Sequence, residues 1–265
     1  MATTNSKKKL IACSPRPLPR PKWVQAAQNA ININPLNHAP VHRLMQLIPG
    51  FKPQPEHLAV LTNRYWGNAG VKLTVGFLDS PPADLCARII SHMNAWTETA
   101  NVEFVASNDS PDVRIARVEG GDAGGYWSYL GTDIKTIDAN SQTMNLEGFT
   151  MDTDESEFHR VVRHETGHTL GFPHEHMRRE LVDLIDPDKA IEYFGRTQGW
   201  NADQVRAQVL TPIEESSLWG TEHADPNSIM CYQIPGEVTK SGDPIPGGLD
   251  IDEQDYAFAA QVYPK

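Results

Sequence analysis

The chain has 265 residues, 39% of them hydrophobic, and carries a formal net charge of −11. That length holds one large domain, or one domain with an arm, and is ample for a sizeable core. No apolar run approaches the roughly 20 residues that span a bilayer. Residues 1–65 hold nine Lys/Arg against one Glu, whereas residues 66–265 hold fourteen against thirty-three Asp/Glu. A nucleic-acid role therefore has little support, because the only basic region is a short, aromatic-poor leader.

The chain divides at that charge boundary into a basic, proline-rich arm (1–65) and a domain (66–265). Pro15, Pro17, Pro19 and Pro21 alternate as in an extended segment. Such an arm either lies across an acidic cleft or is a loosely packed leader. Lys7–Lys9 followed by Leu10-Ile11-Ala12-Cys13 has the outline of an export signal, but three apolar residues are fewer than the 7–15 a signal core needs. Location in the cell is left open, with no export signal visible. Cys13, Cys86 and Cys231 form no disulfide framework; Cys86 and Cys231 read as reduced packing residues.

In the domain, 71–79 alternates apolar and polar residues and reads as a strand. After Pro81-Pro82, 83–100 places Leu85, Ile89, His92/Met93 and Trp96 at helical spacing, with His92 a core or boundary residue. Strands are expected at 102–106 and 112–118, an edge strand at 126–130 and a short strand at 143–146. Asp154 with Glu157 reads as a capping box that opens a helix running to Leu170. Beyond it the chain is less regular, with short helices at 188–194 and 202–209. Asp250 with Glu253 caps a last helix. The fold class is α+β: a mixed twisted sheet with two long helices, then an irregular C-terminal half, with a cleft between them. Asp133, Asp138, Asp152 and Asp154 fit no EF-hand spacing and read as solvated acidic surface.

The helix ending at Leu170 carries the chemistry. Residues 164–174 read His-Glu-Thr-Gly-His-Thr-Leu-Gly-Phe-Pro-His, which is H-E-x-x-H-x-x-G-x-x-H. His164 and His168 are four residues apart and project from one helix face. Gly171 permits a turn that brings His174 back to the same point. Three imidazoles leave one coordination position open, which is the arrangement of a single catalytic Zn2+ ion. Glu165 stands beside them, placed as general base for a metal-activated water. His159 and His176 lack metal spacing and read as supporting or surface groups. Arg163, Arg178 and Arg179 flank the motif and either select acidic side chains or are surface charges.

Downstream, Ser228-Ile229-Met230-Cys231-Tyr232 reads as a Met-turn. With this element the chain resembles the metzincin zinc endopeptidases, and within them the astacin family, over roughly its last three-quarters. Glu175 directly after the third histidine, and Tyr232 two places after the Met-turn methionine, carry the closer resemblance. It implies a zincin-like catalytic domain that cuts internal peptide bonds. It further implies that Tyr232 is a switchable zinc ligand that stabilises the oxyanion, Met230 the floor under the metal, and Glu175 a structural group below the site. The Gly124–Asp133 stretch resembles the edge strand above the cleft. Protein or peptide substrates are then expected extended along the edge near Trp127–Tyr129; these aromatics with Tyr126 serve equally as core or rim. The family suggests secretion. Astacin propeptides typically block zinc with an aspartate, and residues 1–65 contain none. Cys13 is the arm's only soft ligand, so a cysteine-to-zinc latency switch is chemically possible, as is an ordinary packing role. The competing function is a catalytically silent, zinc-stabilised peptide-binding module, and the oligomeric state is open.

Overall fold

A computed structural model describes residue 13 and residues 16–47, 62–213 and 223–265. The Lys7–Ala12 stretch, Pro15 and residues 48–61 of the arm lie outside the described residues. What is described of the arm is not extended throughout. Trp23–Ile33 (α1) and Ala39–Leu47 (α2) are helices. In α1 the small residues Ala26, Ala27 and Ala30 make a buried face that packs on the 3-10 turn Gly131–Thr136. The Asn37 side chain donates to Ala30 O at 2.9 Å and Tyr65 O at 2.8 Å, and Asn34 donates to Trp66 O at 2.9 Å. These bonds tie the helical part of the arm to Tyr65 and Trp66, both members of the main core.

The sheet has five strands in the order β2-β1-β3-β5-β4, where β1 is Val71–Phe77, β2 Val102–Ala106, β3 Val113–Ala116, β4 Tyr126–Ser128 and β5 Met144–Leu146. Every pairing is parallel except β4 with β5, which is antiparallel. The edge strand expected at 126–130 is thus an edge, three residues long. β1 alternates buried and exposed residues along its first half, as one covered face requires. Helix α3 (Ala83–Met93) continues as a 3-10 turn, Asn94–Glu98, and buries Leu85, Ile89, Met93 and Trp96.

The helix of the histidine motif is built from three runs: α-helical Glu155–Glu157, a π-helical segment Phe158–Arg163, and α-helical His164–Thr169. It packs between α3 and β4. Asp154 is at its N-cap but makes no side-chain capping bond, and Glu157 pairs with Arg160 at 2.7 Å. The capping box expected there is not formed. Beyond the motif the chain forms short helices at Arg179–Val182, Pro187–Gln198 and Ala202–Val205, a π-turn at Arg206–Leu210, and a last helix, Glu253–Val262. The capping box of the last helix is Asp252 with Asp255, two residues later than the Asp250/Glu253 pair expected from sequence.

Two cores result. One joins the sheet, α3, the motif helix and the last helix; the other joins Ile185, Phe194, Val209, Ile234 and Val238 of the irregular half with Tyr232 and Cys13. All three cysteines are free thiols. Among the described residues no helix is long and apolar enough to cross a membrane. Asp138, Asp152 and Asp154 are exposed, as expected. Asp133 is not: its side chain is 14% exposed and binds Arg64 Nε at 2.5 Å. Burial raises its pKa, and Arg64 opposes that shift.

Candidate metal centre and active site

His164, His168 and His174 converge with their Nε2 atoms together: His174 Nε2 lies 3.2 Å from that of His164 and 3.0 Å from that of His168. The other ring nitrogens explain this orientation. His164 Nδ1 donates to Ile229 O at 2.6 Å and His168 Nδ1 to Phe172 O at 2.8 Å. With Nδ1 protonated, each Nε2 presents a lone pair to the same point. All three rings are buried, and burial lowers their pKa values, His168 to about 4, so the neutral ligand form prevails. Three inward lone pairs repel one another unless a cation lies between them. A tetrahedron with metal–nitrogen bonds of about 2.0–2.1 Å has edges near roughly 3.3 Å. The residues fit zinc.

The turn that returns His174 depends on Gly171, whose φ is +96° and whose Cβ position would press on Arg64 O at 3.0 Å. Gly167, inside the helix, lies so close to Met230 that a Cβ would collide with its Sδ and press on Trp96 Cζ2 at 3.2 Å. That close packing is what the glycine supplies in exchange for about 1 kcal/mol of helix propensity. Met230 itself is placed by a network that sequence patterning did not reveal. Asp255 of the last helix accepts Ser228 Oγ at 2.6 Å and Ile229 N at 2.8 Å, and Ser228 Oγ accepts Met230 N at 3.0 Å. Because Ile229 O also orients His164, the last helix reaches the histidines through a single residue. The Asp255 carboxyl is pushed up to about 7 by burial, with its hydrogen bonds pulling the other way.

Glu165 is 1% exposed, and neither of its oxygens has a hydrogen-bond partner of normal geometry among the described residues. Burial pushes its pKa up to about 8, while the Cys13 thiol and Arg160 pull it down. A carboxylate poised near neutrality beside three imidazoles can accept a proton and return it. Glu175 N donates to Met230 O at 2.9 Å, and the Glu175 carboxylate accepts Asp225 N at 3.1 Å and Arg178 at 3.3 Å. Of the arginines flanking the motif, Arg178 is thus buried in that network, Arg163 binds Asp250 at 2.6 Å, and Arg179 is exposed. It is Arg160 that lines the cleft, together with Tyr126, Tyr193, Gln198 and Tyr232.

Tyr232 stacks on His176 with ring centroids 3.9 Å apart and lies 4.4 Å from the His174 ring. His176 is fully buried and its Nε2 donates to Gln208 O at 2.9 Å; burial lowers its pKa to about 4. It is a wall of the site and not a surface group. The Tyr232 hydroxyl donates to Cys13 O. Cys13 Sγ lies 3.5 Å from His168 Nε2, and Sγ and the three histidine nitrogens all fall within 4.8 Å of one another. A zinc–sulfur bond of about 2.3 Å gives a sulfur–nitrogen edge of roughly 3.5 Å. Cys13 also pairs in parallel with Tyr126 of the edge strand, and the Arg16 guanidinium sits 4.3 Å over the Trp127 ring. Trp127 is buried, with its indole N–H donating to Ala123 O at 3.1 Å, while Tyr126 and Tyr129 are half-buried.

The structure also brings together two histidines that sequence spacing separates. His92 Nε2 and His159 Nε2 lie 3.2 and 3.4 Å from the same Glu155 oxygen. Burial lowers the pKa of His92, opposed by Glu155. Reading His92 as a core or boundary residue accounts for its burial, and His159, expected as a supporting or surface group, is partly exposed and bound to Glu155 and Asp250.

Comparison with known proteins agrees with this geometry. The sequence profile of the astacin family (peptidase family M12A) matches residues 62–210. Two structures of myroilysin resemble the chain: one at 28% identity and a TM-score of 0.70, covering 76% of this chain and 96% of that one, the other at 29% identity and 0.57, covering 76% and 86%. The fold is also shared with high choriolytic enzyme 1, a hatching-enzyme zinc protease from the medaka Oryzias latipes, at 18% identity and a TM-score of 0.50, covering 74% and 92%. Among curated protein sequences none matches the chain. The chain belongs to the astacin family of peptidases and is a zinc metalloendopeptidase of that family.

Proposed function

We propose that the chain hydrolyses internal peptide bonds at the His164/His168/His174 centre and that residues before the domain hold it latent through Cys13. The convergence of three Nε2 atoms beside the buried Glu165, whose oxygens lack a partner of normal geometry among the described residues, carries the first part. Zinc, when bound, polarises the carbonyl to be attacked and makes water acidic enough to lose a proton near neutral pH. Glu165 accepts that proton and delivers it to the leaving amine. Tyr232, freed from Cys13 O, turns its hydroxyl toward the developing oxyanion. The edge of β4 offers main-chain hydrogen bonds to an extended substrate near Trp127–Tyr129. The parallel bridge from Cys13 to Tyr126 supports this, since it uses the same edge as a strand partner.

The second part rests on the thiol. Cys13 completes a four-ligand set with the three histidines, and its backbone carbonyl engages the Tyr232 hydroxyl. A centre with four protein ligands leaves no open position, and the same segment covers the substrate edge. Residues 1–65 are thus read as an inhibitory arm and 66–265 as the peptidase domain. Membership of the family also supports export from the cell.

The test uses the full chain, Cys13→Ala and Glu165→Gln on a denatured protein substrate, with and without a zinc chelator. Chelator-sensitive internal cleavage, faster in Cys13→Ala and lost in Glu165→Gln, is expected. Cleavage retained by Glu165→Gln overturns the assignment of the base. Equal rates for the full chain and Cys13→Ala overturn latency. Bound zinc without cleavage in any form favours the peptide-binding module.

A further inference from the structure

Helix α3, the start of the motif helix and the segment before the last helix meet at a second group of potential ligands, outside the site described above. We infer that His92, Glu155 and His159 form a second metal site, suited to zinc, that staples the N-terminal end of the motif helix to α3.

One nitrogen or oxygen from each of the three residues lies within 4.8 Å of the others. Two of the three edges, from Glu155 Oε1 to His92 Nε2 and to His159 Nε2, measure 3.2 and 3.4 Å. These are ligand-to-ligand distances around a zinc ion with bonds of about 2.0–2.2 Å. Two imidazoles and a carboxylate favour zinc or a neighbouring transition metal over calcium or magnesium, which prefer all-oxygen sets.

The groups behind these atoms point the same way. His159 Nδ1 donates to Asp250 Oδ2 at 2.7 Å. That carboxylate–imidazole pair fixes the tautomer that leaves the Nε2 lone pair facing Glu155. Asp250 is itself fixed, since Oδ1 binds Arg163 at 2.6 Å and accepts Ile251 N at 2.8 Å. Glu155 is fixed as well: Oε2 binds Arg88 at 2.5 Å, which leaves Oε1 for the two histidines. His92 is 7% exposed, stacks 5.1 Å from Phe158, and has a buried Nδ1 without a partner among the described residues, so its only polar contacts are through the Nε2 aimed into the cluster. The Arg163 guanidinium stands 3.4 Å from His159 Nε2, a weak contact that the ion replaces while Arg163 keeps Asp250.

Access differs from that of the catalytic centre. The Glu155 and His159 side chains are 59% and 31% exposed, so an ion reaches the site from solvent and water completes its coordination. The ligands come from two helices, with Asp250 tying in a third segment. Occupancy therefore fixes the N-terminal turns of the motif helix relative to α3.

The test is calorimetric titration of Zn2+ into the zinc-loaded full chain, alongside Glu155→Gln and His159→Gln, with metal content and melting temperature measured for each. One further equivalent is expected, with a Kd in the micromolar range and a rise in melting temperature. Both variants should lose it, weakening binding at least 10-fold, while keeping the first equivalent. No further equivalent below 100 μM free Zn2+, or one that persists in both variants, overturns the inference. None of these readouts depends on proteolysis, so they separate this site from the reading of the catalytic centre.

Discussion

The motif helix carries histidines at both ends, and the two clusters obey different physics. At its C-terminal end three rings are buried, two of them, His164 and His168, oriented by the carbonyls of Ile229 and Phe172, and Glu165 stands beside them with no hydrogen-bond partner of normal geometry among the described residues. At its N-terminal end His92 and His159 share Glu155, which also binds Arg88, and the cluster opens to solvent. The first arrangement is costly without a cation, because imidazole lone pairs and a carboxylate are held away from water. The second is partly open to solvent and shares its charges with Arg88 and Asp250, so leaving its ion out costs less. Burial, more than ligand type, separates the two clusters.

Four substitutions sharpen or break that contrast. Glu165→Gln should lower kcat/KM by about 10³–10⁴-fold, in the upper part of the range for a general base, with metal content unchanged at both clusters. Loss of zinc in this variant would show that Glu165 serves the metal and not the proton. Tyr232→Phe should reduce kcat by about 10²-fold, as for a lost oxyanion donor, again without zinc loss; departure of zinc would make the tyrosine an essential ligand. Asp250→Asn should weaken only the exposed cluster, by about 10–100-fold in Zn2+ affinity, as read by titration. A matching loss at the buried cluster would mean the two are not independent. Gly167→Ala should cost about 1–3 kcal/mol in denaturant unfolding, through overpacking against Met230, while leaving the second equivalent of zinc in place.

Much of this was legible before any coordinates. The three clustered histidines fall within eleven residues, so helix pitch and one glycine turn predict their convergence from spacing alone. The strand read at 71–79 from its alternation forms over Val71–Phe77, that expected at 102–106 forms over those residues, and the edge strand expected at 126–130 forms over Tyr126–Ser128. What escaped depended on distant segments. His92 and Glu155 meet across 63 positions of sequence, and no periodicity within one helix marks such a meeting. Asp133 looked like acidic surface because its partner, Arg64, comes from before the sheet. Asp255 grips the Met-turn from the last helix, and its capping box was displaced by two residues because Asp250 and Asp252 stand equally well before acidic residues. Ala26, Ala27 and Ala30 lie at helical spacing just beyond the alternating prolines, and they form the buried face of α1.

The contact between Gly167 and Met230 also bears on oxidation. The sulfur is buried at 3% residue exposure and lies against helix backbone, with Trp96 close by. Converting a thioether to its sulfoxide adds an oxygen and a dipole, and the side of the sulfur that faces Gly167 has no room for either. In the folded protein the packing that excludes a methyl group from position 167 also excludes oxidants from Met230. Before folding it offers no such protection. A chain oxidised at Met230 before folding would carry that oxygen and dipole into the contact between the Met-turn and Gly167 of the motif helix, where the packing is tightest.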